Sequence, residues 1–140
     1  MIYWAQLLHF YQPPTQVPSV LRKICNESYR PLIHVFEEYP NARLTINLNG
    51  VLTDMLIDCG HRDVIDGLRS LAESGQLEFT GTGKYHPILP LIPREEVERQ
   101  INLNAQTNGR SFGRSYAPQG FFPPEMCYSK DILQPVIKSG

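Results

Sequence analysis

Short apolar runs alternate with stretches of helical periodicity along the whole chain, and no other feature limits the possible folds as much. Ile2 to His9 is apolar apart from Gln6, as expected of a strand buried on both faces, and Pro13-Pro14 stops it. From Pro18 to Tyr39 apolar residues recur at helical spacing, with Pro31 placed to kink or divide the helix. Arg43 to Asn49 is rich in β-branched residues and reads as a second strand. Two short helices follow, over Gly50–Asp58 and Asp63–Ser74, with Gly75 as the C-terminal cap. Leu77–Thr80 is a third strand. Pro93 opens a helix in an N1-like position, with Glu95, Glu96 and Glu98 complementing its dipole; it carries Val97, Ile101 and Leu103 and fades near Gly109. A fourth strand runs into Phe121-Phe122, and Asp131 to Lys138 begins a last helix.

This β-α-β-α-β-α-β-α order calls for a parallel α/β sheet with crossover helices. It fits either a small open doubly wound sheet or the first half of a barrel. The sequence stops at Ser139-Gly140, in or just after a helix, and half a barrel alone would expose a strand edge. Residues 1–140 are therefore expected to be the N-terminal portion of one longer barrel domain.

Bulk properties exclude several classes. Hydrophobic residues make up 41% of the chain and charged ones 19%, which is globular rather than disordered. A formal net charge of −1 with no basic stripe gives no basis for binding nucleic acid. No segment is long enough to span a bilayer, and the N-terminus lacks the basic region and cleavage site of a signal peptide. Cys25, Cys59 and Cys127 form no CxxC pair, so free thiols in a reducing, cytoplasmic setting are the simplest account.

The tract Gly120-Phe121-Phe122-Pro123-Pro124-Glu125 carries the sharpest chemical signal. Two prolines end an aromatic strand and hold a lone carboxylate on stiff backbone at its C-terminal rim, where α/β barrels place catalytic side chains. Other polar residues cluster at the ends of the earlier strands: His9, Tyr11 and Gln12; Asn47 and Asn49; Glu78, Thr80, Thr82 and His86. A parallel sheet brings all these ends to one face. Any single residue reads as an ordinary loop side chain, and the joint pattern is what points to a site.

Gly81-Thr82-Gly83 lacks the spacing of a phosphate loop, and no nucleophile-elbow sequence occurs. His9, His86 and a carboxylate could make a three-ligand metal site, but there is no HxH or HxxxH pair to support one. Paired carboxylates in an aromatic setting suit sugars, whose apolar faces stack on rings such as Tyr11, Tyr85, Phe122 and Tyr128. Phe121 fits a core position better.

Three tracts together resemble glycoside hydrolase family 57. His9-Phe10-Tyr11-Gln12-Pro13 is similar to the family's first region, His-x-His-Gln-Pro. Gly75-Gln76-Leu77-Glu78, running on into Tyr85-His86-Pro87, resembles the second, and Phe122-Pro123-Pro124-Glu125 the third, Trp-x-Pro-Glu. The resemblance implies a (β/α)7 barrel that needs no metal or other cofactor and acts on α-glucans with retention of configuration. It maps the nucleophile onto Glu125 and substrate contacts onto His9, Tyr11, Gln12, Glu78, His86 and Phe122. The family's general acid lies downstream of the third region, and Asp131 is not assigned that role. Rival expectations are a metal-dependent deacetylase or α-mannosidase-like hydrolase, and a carbohydrate-binding relic without turnover. The sequence does not fix the oligomeric state.

Two positions depart from the family pattern: Tyr11 replaces a histidine, and Phe122 replaces a tryptophan. Tyrosine can hydrogen-bond a sugar but is not a cation at neutral pH. Tyr11→His is expected to change substrate preference or the pH profile more than stability. Unfolding with unaltered ligand affinity would instead make Tyr11 a packing residue.

Overall fold

The computed structural model describes residues 4–139, so Ile2 and Tyr3 of the expected first strand lie outside the described residues. Strands β1 (Leu7–Phe10), β2 (Leu44–Leu48) and β3 (Leu77–Thr80) form a parallel sheet in the order β1-β2-β3. Between β1 and β2 lie helices α1 (Pro18–Ile24) and α2 (Arg30–Glu38). Helices α3 (Gly50–Asp58) and α4 (Arg62–Glu73) connect β2 to β3, and α5 (Arg94–Phe112) and α6 (Leu133–Lys138) follow.

Alternation along the strands divides the sheet into two unlike faces. Phe10, Leu44, Ile46, Leu48, Leu77 and Phe79 form one core with residues of α1 to α5, including Leu21, Phe36, Leu56, Leu68 and Phe112. The opposite face carries Leu7, His9, Thr45, Asn47, Glu78 and Thr80. Helices thus cover one face only, with neighbouring strands in sequence order. That matches the barrel expectation and not the doubly wound one, which puts helices on both faces.

Several elements differ from the sequence reading, each for a physical reason. β1 is shorter than expected and is not buried on both faces: Leu7 and His9 are exposed, because the described helices pack only on its other face. The long helix over 18–39 does not break at Pro31. A π-helical turn over Cys25–Tyr29 precedes it, and Arg30 N–H reaches back to the Cys25 carbonyl. The looser turn carries the chain past the residue that cannot donate.

The expected fourth strand is reduced to one parallel bridge, Gly81 to Phe121. Pro118, Pro123 and Pro124 flank it closely and leave too few N–H donors for a longer ladder. α5 runs on past Gly109 to Phe112, with Pro93 at the N-cap rather than N1. Asn108 and Phe112 are fully packed on either side of Gly109, so tertiary contacts override its low helix propensity.

The buried stripe of α5 is also unlike the expected one. Leu103 is only half-buried, while Gln100, Asn104, Thr107 and Asn108 are buried. Asn104 Oδ1 accepts from Gly50 N–H at 2.7 Å. Asn108 Oδ1 accepts from Thr53 Oγ1 at 2.6 Å, and its Nδ2 donates to the Leu48 carbonyl at 3.0 Å. The start of α3 therefore docks on α5 through amides, which satisfy backbone groups at the junction of β2 and α3. Gly75 ends α4 with φ of 73°, where Gly75 N–H and Gln76 N–H reach the Ala72 and Leu71 carbonyls. Gln76 Nε2 in turn donates to the Phe36 and Tyr39 carbonyls at the end of α2.

Replacing Asn108 by alanine removes both of its bonds inside the protein. Stranding two buried partners should destabilise the fold by about 2–4 kcal/mol, measured by urea unfolding. A loss below about 0.5 kcal/mol, typical of a surface change, would show that the amide network is not a structural tie.

Candidate active site

The register of the sheet lines up His9, Asn47 and Thr80 in one row. Asn47 Nδ2 donates to Thr80 Oγ1 at 3.0 Å. Its Oδ1, 2.6 Å from His9 Nδ1, then accepts the proton of that nitrogen. The bond fixes the His9 ring and leaves Nε2 as the acceptor of the neutral form.

The tract carrying Glu125 is attached beside β3 at Gly81. Gly81 N–H donates to the Gly120 carbonyl at 2.8 Å, and Phe122 N–H donates to the Gly81 carbonyl at 2.9 Å. Beyond Phe122 the chain turns within a few residues, with Met126 N–H bonded to the Pro123 carbonyl at 2.9 Å. Glu125 (φ 57°) and Met126 (φ 53°) both lie in the left-handed region, uncommon for residues with a Cβ. His86 is the third such non-glycine residue among those described, also at φ 57°. Strained backbone of this kind gathers where the surroundings dictate the conformation, often at functional sites.

The loop bearing His86 is held from three sides. Asn49 Nδ2 donates to the Gly83 carbonyl at 2.6 Å, and Tyr85 N–H donates to Gln100 Oε1 at 3.0 Å. Lys84, with a largely buried side chain, bonds Asp54 Oδ2 at 2.7 Å and Thr107 Oγ1 at 3.0 Å. These ties place the His86 ring against Tyr11, with centroids 4.2 Å apart and planes within 20°. His9 lies 4.9 Å from His86, and Phe122 lies 5.7 Å from His9. His86 Nδ1 is 3.7 Å from Glu125 Oε1, close but longer than a direct hydrogen bond. The Glu125 side chain is 63% exposed and that of His86 only 6%.

Burial is the main cause that lowers the His86 pKa below its ordinary value, and neighbouring His9 lowers it further. The opposing pull of Glu125 is smaller, so His86 is neutral at neutral pH. Elsewhere, burial raises the Cys25 thiol pKa, so this thiol is protonated and inert. Cys25, Cys59 and Cys127 are all free.

The structure thus gathers His9, Tyr11, His86, Phe122 and Glu125 into one cluster. Gln12 stands apart, since its Oε1 accepts from Gln16 and its amide faces Tyr29. Glu78 is not at a strand end: it sits second in β3, on the same face as Thr80 but one row nearer the N-terminal edge. Phe121 packs beside Leu89, Val97, Ile101 and Ile132, as its core reading requires. Lys84 and Gln100, which position the His86 loop, went unnoticed in the sequence. A buried lysine in a Gly-x-Gly-Lys stretch and a glutamine on a helix carry no local signature of such a role.

Among the described residues, no group of three or more His, Cys, Asp or Glu is arranged to hold a metal ion. A cavity of about 450 Å³ lies between α5, the 116–121 segment and α6. It is lined mainly by apolar groups and includes neither Glu125 nor either histidine of the cluster. Among the described residues, an exposed carboxylate, imidazoles and stacking faces meet in the cluster and not around this cavity.

A parallel α/β layer with helices on one face and a carboxylate among rings at its C-terminal edge is a barrel-type arrangement. Residues 6–140 match the model of glycosyl hydrolase family 57, and the chain belongs to that family. It is 29% identical over 133 residues to an alpha-amylase of Pyrococcus horikoshii, covering 95% of this chain and 20% of that protein. A 4-alpha-glucanotransferase of Thermococcus litoralis is 30% identical over 133 residues, with the same coverage. The crystal structure of 4-alpha-glucanotransferase from Thermococcus litoralis superposes with a TM-score of 0.89 at 29% identity. That match covers 97% of this chain and 21% of the other. The chain spans about a fifth of the length of the curated relatives it matches.

A histidine kept neutral by burial has a consequence for stability. The unfolded chain protonates His86 near pH 6.5, whereas the folded one does so only at lower pH. Stability should therefore fall as pH drops below about 6.5 and level off below the depressed native value. Melting temperatures across this range should show the decline in the wild-type chain and a shallower one in His86→Asn. Equal slopes in both would contradict the burial of a neutral imidazole.

Proposed function

We propose that this chain forms the N-terminal portion of a longer barrel that acts on α-glucans with retention of configuration, with Glu125 as the nucleophile. The observation that carries this reading is the presentation of Glu125. Its carboxylate is exposed on a turn held left-handed, at the edge of a cluster of rings. The named relatives are an alpha-amylase and a 4-alpha-glucanotransferase, which supports an α-glucan or maltooligosaccharide as substrate.

In a retaining mechanism the carboxylate attacks the anomeric carbon and displaces the leaving oxygen, which takes a proton from an acid about 5–5.5 Å away. Water or a sugar hydroxyl then cleaves the glycosyl ester, and the same acid, now a base, accepts its proton. Glu125 attacks as the carboxylate, and its side chain is open to an arriving sugar. The partner acid is assigned to a later part of the barrel. Phe122 and Tyr11 offer ring faces to sugar, and His9 Nε2 offers an acceptor to a hydroxyl. Three free thiols support a reducing, cytoplasmic setting; among the described residues no helix is long and apolar enough to cross a membrane.

In a polypeptide extended to the full barrel, Glu125→Gln should lower turnover of maltoheptaose by several orders of magnitude, because an amide cannot form the glycosyl ester. Residues 1–140 alone should show no turnover, since proton donation to the leaving oxygen, typically about 10²–10⁴-fold, is missing. Near-normal rates for Glu125→Gln would overturn the assignment. Turnover by the 140-residue chain would place an acid within it.

A further inference from the structure

We propose that His86 is a positioning residue for Glu125, clamped by Tyr11, and does not bind sugar itself. This rests on Glu125 being the nucleophile, and it gives Tyr11 a task beyond offering a face to substrate.

Exposure separates the two roles. Glu125 is open to an arriving sugar, whereas the His86 side chain is 94% buried and its Nε2 is shielded from solvent with no hydrogen-bond partner among the described residues. A ring so enclosed has only its Nδ1 edge near the reacting carboxylate. Tyr11 overlaps it at 4.2 Å, nearly parallel, while His9 meets it at 4.9 Å with a 36° tilt. His9 is itself fixed by Asn47, and Tyr11 follows β1 directly.

The protonation state suits orientation without neutralisation. The ionisable groups facing His86 are Glu125 from the proline turn, His9 from β1 and Tyr11 from the segment after β1. Burial and His9 keep the imidazole neutral despite the carboxylate. With Nδ1 turned toward Glu125 Oε1, the neutral tautomer that carries its proton on Nδ1 is the one able to donate to the carboxylate. A neutral N–H can steer a carboxylate oxygen while leaving its charge available for attack, whereas an imidazolium would compete for that charge. The Nδ1 to Oε1 separation of 3.7 Å is slack that binding of substrate would take up. Matching left-handed conformations at His86 and Glu125 hold the two backbones in the poses that let these side chains face each other.

Two substitutions suit the left-handed backbone at position 86 and so should preserve the fold. Glycine removes the ring, and asparagine returns an N–H where Nδ1 stands. In the full barrel, His86→Gly should lower kcat on maltoheptaose about 100-fold, the scale of a misplaced reacting group, with KM within about threefold of wild type. His86→Asn should recover at least about tenfold of the lost kcat over His86→Gly. A rise in KM with kcat retained in His86→Gly would make His86 a sugar ligand and overturn the proposal. Absence of recovery in a folded His86→Asn protein would also overturn it. Glu125→Gln, assayed alongside, separates the two readings. If it keeps its activity, the nucleophile assignment fails first; if it is inactive while the His86 variants behave as ligand mutants, only the positioning role fails.

Discussion

Two hydrogen bonds at Gly81 attach the Glu125 tract to the sheet, and the geometry of the site depends on them. Gly81 N–H and C=O both pair across the bridge, to Gly120 and Phe122. A Cβ on Gly81 would sit 3.2 Å from Phe121 Cδ2, so a side chain there would crowd the Phe121 ring at the bridge. One bridge suffices because proline rigidity takes over beyond it: Pro123 and Pro124 carry the direction set at Phe122 into the turn that holds Glu125.

The other half of the site is held by polar groups where an apolar contact would be the default. Asn104 and Asn108 lock the start of α3, while Gln100, Lys84 and Thr107 lock the loop that ends in His86. Directional bonds of this kind fix position more tightly than apolar packing does, at the cost of requiring every partner. Lys84 shows the trade-off: its buried ammonium is matched by the Asp54 carboxylate, the Thr107 hydroxyl and the Tyr85 ring face 5.4 Å away. Left-handed conformations at His86 and Glu125 persist because both ends of the site are so constrained.

Sequence reasoning located β2, β3 and the helices between them to within a residue or so, because β-branched runs, helical periodicity and the Gly75 cap agree there. It also singled out His9, Tyr11, His86, Phe122 and Glu125, since parallel strands bring their ends together whatever the loops do. Errors fell where distant parts of the chain decide the outcome. β1 is exposed on one face because the described helices pack only on the other, which no local pattern encodes. The buried stripe of α5 runs through Gln100, Asn104, Thr107 and Asn108 and leaves Leu103 half-buried, because contacts with α3 and the His86 loop turn these polar residues inward. Glu78 is expected among the strand-end residues, yet it is second of the four residues of β3, two positions short of the end marked by Thr80. Gln12 follows β1 as expected but turns to Gln16 and Tyr29, a choice made by side-chain packing alone.

The central claim is that the carboxylate on this left-handed turn becomes covalently attached to sugar. Retaining enzymes pass through a glycosyl-enzyme, and a fluorinated glycosyl fluoride slows its breakdown enough for it to accumulate. Incubating the full barrel with 5-fluoro-α-glucosyl fluoride, digesting it and sequencing the labelled peptide by mass spectrometry reads the attachment point directly. The account predicts one added glycosyl group on the peptide spanning Phe121 to Lys130, localised to Glu125. A label on another carboxylate, or steady turnover of the reagent without any covalent adduct, would contradict it.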